Sequence, residues 1–347
     1  MAQARRILVF VAALFLFASG VQAAEPTLAE MRAGHKLAPR CLTLYQTYLL
    51  GSYNRAFAVG PRGGCGYATG ARSLDEARRR ARSFCSQSVP FACTVIASND
   101  IAPDKQAATP AEAAPLVRDP TFPFRGPKEA AGAIIWGHGR AAVVNGVRQD
   151  RRTAPTAPLM RALAFAGWDL FRADRPPDKD NNVDGLAMTL EGIERLRAMG
   201  YRRIVLAGQS AGGWLALSAM DKVDGLHAVI ALAPASHGNR TVRTTRRELA
   251  LSEFEVLLKA RRDPATRVVV ALFNDDDYDP DTKTRARLLR AAAKAPGMPV
   301  LLIDRPRAFR GHSAGTTLRM ARDFGACVRD FVQSDRPTKP GVRTCPR

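Results

Sequence analysis

The chain has 347 residues, enough for about two domains, and its formal net charge is +20. Such a charge is typical of nucleic-acid-binding proteins, but the arginines are spread along the whole chain and no nucleic-acid-binding module is recognisable. We therefore predict no nucleic-acid partner and expect the charge to lie on solvated helix faces, or to attract an anionic surface or substrate.

The first residues have the pattern of a secretory signal peptide. Arg5 and Arg6 precede an apolar run over Ile7–Ala18, and the sequence VQA, ending at Ala23, supplies small residues at the cleavage position. The run is short for a membrane span, and no cysteine follows it closely enough for lipid attachment. We expect cleavage after Ala23 and a periplasmic or secreted protein; an uncleaved anchor is the alternative.

Six cysteines follow this segment, and their even number predicts disulfides in an oxidising compartment. No C-x-x-C motif or Cys/His cluster has metal-ligand spacing, so we predict no metal site. Short separation favours Cys85 with Cys93 and Cys327 with Cys345, which leaves Cys41 with Cys65.

Residues 24–100 are predicted to form a small cysteine-paired α+β module. RAFAVG and ACTVIASN have strand patterns, and SLDEARRRARSFC has a helix pattern with Ser73 as N-cap and Glu76 completing a capping box. The predicted apolar face of this helix comprises Leu74, Ala77, Ala81 and Phe84. The module is similar to small cysteine-paired modules of exported bacterial proteins, a likeness that implies no activity.

The rest of the chain divides by composition. Residues 101–127 are rich in Ala and Pro, as linkers are, and their last part is a candidate edge strand for the next domain. Residues 128–333 are predicted to form the catalytic domain, and residues 334–347 a C-terminal tail held by a disulfide.

Within residues 128–333, apolar runs alternate with helical patterns. The runs are AGAIIW, WDLFRA, RRIVLAG, LHAVIALA, RVVVALF and MPVLLID. Strands that are apolar throughout are typical of a parallel sheet covered by helices on both faces. The pattern therefore predicts an open α/β sheet whose functional residues gather at the carboxyl ends of the strands.

Ser210 lies in GQSAGG, directly after one predicted strand and at the start of a predicted helix. This is the setting of a nucleophile elbow, where a sharp turn exposes the serine above the sheet. Gly208 and Gly212 flank it where a side chain would collide with the neighbouring strand or helix. The alternative is a plain glycine-rich turn.

A serine nucleophile needs a base, and the base needs an orienting acid. His312, in RGHSAG, follows the last predicted strand, which is where the chain order Ser, acid, His requires the base. His237 also follows a strand but precedes the acid, so we interpret it as a pocket-edge residue.

The acid is predicted in NDDDYDP, after the preceding strand, where Asp275, Asp276 and Asp277 are all candidates. A calcium loop is the competing interpretation, but the glycine and bidentate glutamate of an EF-hand loop are missing. An oxyanion hole is predicted from GHGR, and its candidate donors are the N–H groups of Arg140 and Ala211. We expect His138 to shape this loop rather than to act as a base.

Taken together, residues 128–333 resemble the α/β-hydrolase superfamily, especially the dienelactone hydrolases and prolyl-oligopeptidase catalytic domains. The resemblance rests on GHGR, GQSAGG, DDDYDP and GHS in the family's order. It implies Ser210 as nucleophile and His312 as base. Relatives often have a proline four residues after the acid, so the resemblance favours Asp276 as the acid, with Asp277 as the second choice. The chain departs from the family in two ways. The segment in which relatives carry a large lid is too short for one here, and the antiparallel strands that begin the family's sheet are hard to find in the sequence.

The sequence thus predicts an exported serine hydrolase that cleaves an ester or similar acyl bond and needs no cofactor. A peptidase or amidase with the same triad, and a non-catalytic envelope-binding protein on a hydrolase scaffold, are the alternatives. Basic residues near the predicted site favour an anionic, small-molecule or envelope-derived acyl substrate and peripheral contact with anionic envelope surfaces, and the oligomeric state stays open. These residues are Arg140, Arg240, Arg243, Arg307 and Arg310.

Overall fold

The computed structural model describes the chain in segments separated by short gaps. They are residues 26, 28–35, 37–49, 55–69, 71, 74–87, 92–99, 116–119, 121–152, 154–238, 246–261, 263–279, 281–295, 297–334 and 339–346. The predicted signal peptide, the cap Ser73, most of the predicted linker, and Arg240 and Arg243 lie outside them. No helix within these segments is both long and apolar enough to cross a membrane.

The N-terminal module packs helices against a three-stranded antiparallel sheet in which the first strand along the chain lies in the middle. Its elements are α1 (Leu28–His35), α2 (Pro39–Leu49), β1 (Arg55–Val59), β2 (Cys65–Ala68), α3 (Leu74–Ser86) and β3 (Thr94–Asn99). Helix α3 and the two predicted strands occur where the sequence patterns place them. Helices α1 and α2 and strand β2 were not predicted.

The buried face of α3 differs from the predicted face at its two ends, where Leu74 is half-buried and Phe84 is exposed. Ala77 and Ala81 are buried, but the third buried side chain is Cys85, while Phe84 is 48% exposed. Cys85 is on the inner face because it is disulfide-bonded to Cys93. The constraint of the disulfide therefore outweighs the hydrophobicity of the neighbouring phenylalanine.

All three predicted disulfides are present: Cys41–Cys65, Cys85–Cys93 and Cys327–Cys345. The first two join elements within the module. The third joins the last helix to the C-terminal segment.

The second region begins with an edge strand, a first sheet strand and a small hairpin. They are β4 (Leu116–Arg118), β5 (Gly132–Gly137), β6 (Val143–Val144) and β7 (Val147–Arg148). Strands and helices then alternate: α4 (Met160–Phe165), β8 (Trp168–Ala173), α5 (Asn182–Ala198), β9 (Ile204–Gln209), α6 (Ala211–Ser218), β10 (Ala228–Leu232), α7 (Arg247–Lys259), β11 (Arg267–Leu272), α8 (Thr282–Lys294), β12 (Pro299–Asp304), α9 (Leu318–Gln333) and β13 (Gly341–Arg343).

The central sheet has eight strands in the order β13-β12-β11-β10-β9-β5-β8-β4. All neighbouring pairs are parallel except β4, which runs antiparallel to β8 at one edge. A mainly parallel sheet flanked by helices, preceded by a small disulfide-bonded α+β module, confirms the predicted fold class, the α/β-hydrolase fold. The candidate edge strand in the predicted linker corresponds to β4.

The core lies on both faces of this sheet because successive strand residues point in opposite directions. Ile135 belongs to the buried cluster that includes Ile193 of α5 and Phe254 of α7 on one face, and Ile134 to the cluster that includes Leu163 of α4 and Val328 of α9 on the other. The predicted tail contains strand β13, which pairs with β12. Its sequence, GVR, is too short to show a strand pattern.

Candidate active site

Ser210 occupies the turn between β9 and α6, near the middle of the sheet. Its backbone has φ 55° and ψ −120°, a conformation that a non-glycine residue adopts only under strain. Directly below this turn, a Cβ on Gly212 would overlap the carbonyl group of Gly137 on β5. The turn can therefore approach β5 this closely only with glycine at that position.

The loop after β11 supplies a buried carboxylate that holds a histidine. Asp276 Oδ1 accepts a hydrogen bond from His312 Nδ1 at 2.7 Å and further bonds from the backbone N–H groups of Tyr278 at 2.8 Å and Asp279 at 3.2 Å. Because an ionised carboxylate only accepts hydrogen bonds, His312 carries its proton on Nδ1. Its Nε2 is then the basic nitrogen.

The three candidate aspartates have different surroundings. Asp276 is buried, whereas Asp275 has a positive φ of 55°, is exposed, and pairs with Arg310 at the surface. Asp277 is half-buried. Of the three, the structure brings Asp276 to His312.

His312 and Ser210 line one cavity of about 780 Å³ at the carboxyl ends of the strands. The ring of Tyr278 packs against the ring of His312 with centroids 4.4 Å apart. Among the described residues, His312 Nε2 has no hydrogen-bond partner although it is buried. That nitrogen is available to a group that enters the cavity.

The loop after β5 forms another wall of the cavity. A Cβ on Gly139 would lie 2.5 Å from Oε1 of Gln209 and 3.2 Å from Cβ of Ser210, so this loop lies directly over the turn that carries the serine. No hydrogen bond within the described segments uses the backbone N–H of Ala211 or Arg140. Both predicted oxyanion donors line the same cavity as Ser210.

A buried ion pair that the sequence did not reveal holds this loop in place. Arg175 Nε and Asp180 Oδ1 are 2.9 Å apart, and both side chains are buried. Asp180 also accepts a hydrogen bond from the backbone N–H of Ala141 at 2.7 Å, while Arg175 donates to the carbonyl of His138 at 2.5 Å. Two successive segments of the loop are thereby fixed to the segment that follows β8.

His138 lies in this loop as a buried, neutral ring. Burial, together with the neighbouring Arg175 guanidinium, lowers the pKa of His138 to about 4. Its Nδ1 lies 2.8 Å from the carbonyl oxygen of Gly139. The expectation that His138 shapes the loop agrees with these contacts.

A second buried pair, Arg285 with Asp279, supports the loop that carries Asp276. Arg285 Nε lies 3.3 Å from Asp279 Oδ1, and Arg285 donates to the carbonyl of Pro234 in the loop after β10. Its guanidinium stacks over the ring of Phe254, 4.8 Å from the centroid. Burial raises the pKa of Asp279, although the charge of Arg285 opposes the shift.

His237 is not among the residues that line the cavity within the described part of the chain. It is buried, its Nε2 lies 2.8 Å from Glu253 Oε2, and its ring packs edge-on against Trp214 at 4.9 Å. Its neighbours Ser236 and Gly238 do line the cavity, so His237 lies beside it, with its own ring packed against α6.

The cavity is basic. Arg140, Arg151 and Arg161 line it, and no aspartate or glutamate of the described segments does. Arg161 is buried, and burial lowers its pKa to about 10, so it remains a cation at neutral pH. Of the arginines singled out in the sequence, Arg307 and Arg310 are exposed and do not line the cavity, whereas Arg151 and Arg161 were missed.

No model of a known protein family matches the chain, and no curated protein matches it either. Among solved structures, it is similar to the acylaminoacyl peptidase of Pyrococcus horikoshii, at 14% identity and a TM-score of 0.40, over 61% of this chain and 38% of the peptidase. Est1E from Butyrivibrio proteoclasticus is similar at 17% identity and a TM-score of 0.43, over 63% of this chain and 93% of that one.

A puromycin-hydrolysing peptidase of Mycobacterium tuberculosis is similar at 16% identity and a TM-score of 0.40, over 62% of this chain and 36% of the peptidase. The chain thus spans less than half the length of either peptidase. Within the described segments, no cluster of three or more His, Cys, Asp or Glu side chains could hold a metal ion.

Proposed function

We propose that this chain is a serine hydrolase that cleaves an ester or a similar acyl bond with Ser210, His312 and Asp276. The observation that carries the proposal is the shared cavity: Ser210, at a strained turn, lines it together with a histidine that a buried aspartate holds through Nδ1. This is the arrangement that a serine hydroxyl needs to become a nucleophile, because the basic Nε2 can take its proton.

In the first step, Ser210 Oγ attacks the acyl carbon and its proton passes to His312 Nε2. The carbonyl oxygen becomes an oxyanion, to which the N–H groups of Ala211 and Arg140 donate hydrogen bonds. Such donors contribute about 3 kcal/mol each when they are positioned in advance. The Arg175–Asp180 pair holds the loop that carries the Arg140 N–H, because it bonds to the backbone of His138 and Ala141 in that loop.

In the second step, the tetrahedral intermediate collapses. His312 Nε2 returns its proton to the leaving alcohol, and the acyl group stays on Ser210 Oγ. A water molecule then gives a proton to His312 and attacks the acyl carbon, and the same histidine protonates Ser210 Oγ as the acid product leaves. Asp276 stays ionised throughout and stabilises the imidazolium.

Covalent labelling tests the nucleophile. A fluorophosphonate probe should label the purified protein with one equivalent, and Ser210→Ala should abolish the labelling. Ser218→Ala is the matched control, because Ser218 lies on the same helix, donates to the carbonyl of Trp214 at 2.9 Å and does not line the cavity. Failure of the folded protein to react would overturn the catalytic proposal.

The three cavity arginines support an anionic acyl group as the substrate. We propose comparing kcat/KM for p-nitrophenyl butyrate, the matching p-nitroanilide and the p-nitrophenyl hemiester of glutaric acid. Faster turnover of the ester than of the anilide is expected, and the hemiester should be preferred about tenfold at low salt, less so at high salt. A faster anilide would favour a peptidase or amidase, and a hemiester advantage absent at every salt concentration would exclude the anionic preference.

Export to the periplasm or beyond is part of the proposal. Three disulfides are typical of an oxidising compartment, and the apolar segment after Arg6 has the signal-peptide pattern. The N-terminal residue of the protein recovered from the periplasm or medium of the cell that makes it tests this. A chain that begins at Ala24 is expected.

A further inference from the structure

The hairpin of β6 and β7 exposes valines beside the cavity. Val143 is 56% exposed, Val144 50% and Val147 65%. Val144 and Val147 are cross-strand partners, so they extend from the same face of the hairpin. Val143 points to the opposite face, because successive residues of a strand alternate. Single exposed apolar residues are ordinary, but two neighbouring valines on one face of a hairpin form an apolar surface that a partner would cover.

This hairpin is ordered at both its tip and its base. Asn145 and Gly146 have φ values of 50° and 78°, the left-handed conformations of a two-residue type I′ turn. At the base, Arg148 Nη1 donates to the carbonyl of Ala141 at 3.0 Å, and the N–H of Gln149 donates to Ala142 at 2.9 Å. A two-stranded hairpin is only marginally stable alone, so these bonds and the Asp180 contact of Ala141 present the valines on a fixed support.

Positive charge surrounds the valines. Segment 140–152 holds four arginines and one aspartate. That aspartate, Asp150, is paired with Arg152 at 2.6 Å, and Arg148 lies 3.9 Å from Asp180 outside the segment. Among the other exposed large apolar residues, Leu249 and Val256 share α7 with three glutamates, whereas Phe84 is a single exposed side chain on the arginine-rich helix α3. The hairpin therefore combines neighbouring exposed valines with a net positive charge that would attract an anionic partner.

We propose that the hairpin docks on an anionic lipid surface, with the valines entering the headgroup region and the arginines contacting phosphates. A narrow apolar tip above a positively charged segment suits the interface between water and an anionic lipid surface. It is a poorer fit to a protein partner, since a stable protein interface buries about 800 Å² on each side. Ala142 and Val143 also line the cavity, so docking brings the cavity mouth to the lipid.

The inference does not depend on catalysis, and Ser210→Ala should bind lipid as the native chain does. All six cysteines are disulfide-bonded, so a cysteine introduced by Val147→Cys provides one free thiol for an environment-sensitive NBD fluorophore. The matched control is Val256→Cys, because Val256 is 58% exposed on α7. Fluorescence is then recorded with vesicles of phosphatidylglycerol and, separately, of phosphatidylcholine.

A severalfold rise in NBD emission at position 147 with phosphatidylglycerol vesicles, and little change at position 256, is the expected result. Val144→Ser with Val147→Ser should weaken binding in vesicle sedimentation about tenfold, because two apolar side chains no longer enter the lipid. Three results would each overturn the proposal. They are unchanged NBD emission at position 147, an equal rise in emission at position 256, and an equal response to phosphatidylcholine vesicles. If NBD emission at position 147 rises with protein concentration in the absence of vesicles, the hairpin instead mediates contacts between copies of this chain, and the proposal is overturned.

Discussion

The N-terminal module and the parallel-sheet domain stabilise their cores by different means. In the module, one cluster consists of alanines around the Cys85–Cys93 disulfide, and another packs Tyr45 and Tyr48 against Phe57, with centroids 5.0 and 5.7 Å from that ring. In the domain, strands buried along their whole length separate two large clusters of branched and aromatic side chains. The small region relies on covalent links, and the large one on buried apolar area.

The two regions also differ in how they bury charge. In the domain, the pairs Arg175–Asp180 and Arg285–Asp279 are buried beside the loops that form the cavity. In the module, Arg55 is buried, and its guanidinium donates to the carbonyl of Leu49 and lies 5.0 Å from the Phe165 ring of the domain. A buried ion pair adds little net stability, so the domain pairs are better explained by the need to fix loops than by the need to hold the fold.

The largest expected effect is confined to the domain. Asp276→Asn should lower kcat about 10³–10⁴-fold, because an asparagine N–H pointing at His312 Nδ1 would favour the tautomer with the proton on Nε2. Steady-state kinetics on an activated ester measure this change, and the melting temperature reports folding. The same change at exposed Asp275 should leave kcat within about twofold, because that carboxylate pairs with Arg310. Equal losses at both positions would contradict the assignment.

A change confined to the module should separate the two regions. Cys41→Ser with Cys65→Ser opens a link that spans 24 residues, and should lower the module's free energy of unfolding by about 3 kcal/mol. Hydrogen exchange in β1 and β2 should then accelerate about 100-fold.

The domain should not respond to this change. Its three tryptophans, Trp136, Trp168 and Trp214, are all of the tryptophans in the chain, so the denaturation midpoint from their fluorescence reports the domain alone. That midpoint and the ester kinetics should stay unchanged. A parallel fall in the midpoint would show that the two regions unfold as one unit.

The smallest expected effect concerns pH and His138. Its pKa of about 4 in the folded domain lies below the ordinary 6.5, so between these values the unfolded chain binds more protons. Stability therefore falls as pH drops through this window, by about 2 kcal/mol between pH 7 and pH 5. Denaturation followed by tryptophan fluorescence should show this slope, and His138→Gln should reduce it; burial also lowers the pKa of His237, so a smaller slope of the same sign should remain. An unchanged slope would contradict the assignment to His138.

The sequence predicts the sheet well because most of its long strands are continuous apolar runs bounded by polar residues or glycine, although β8 (WDLFRA) includes Asp169 and Arg172. The approximate positions of Ser210, Asp276 and His312 follow from the same pattern, since Ser210 directly follows one such run and the other two lie in the loops after β11 and β12. The structure adds the contact between Asp276 and His312. Three adjacent aspartates have equivalent sequence signals, and their directions depend on a backbone turn at Asp275.

What could not be predicted depends on contacts between distant segments. Arg285 follows a helix pattern like its neighbours, and only tertiary structure places it between Phe254 and Asp279. Arg161 likewise follows an ordinary helical pattern, and its place in the cavity depends on how α4 packs. The hairpin is different: Asn145-Gly146 between valines is a strong hairpin signal, and sequence reasoning could have found it.

The C-terminal strand has a consequence for the solubility of the protein. The edge of β12, a strand of five buried residues and one half-buried residue, would present unpaired backbone groups if β13 were absent. Exposed edges of this kind template the addition of strands from other molecules. The Cys327–Cys345 link keeps three residues of β13 beside that edge. A reducing environment would thus expose a site for intermolecular aggregation on an otherwise folded domain.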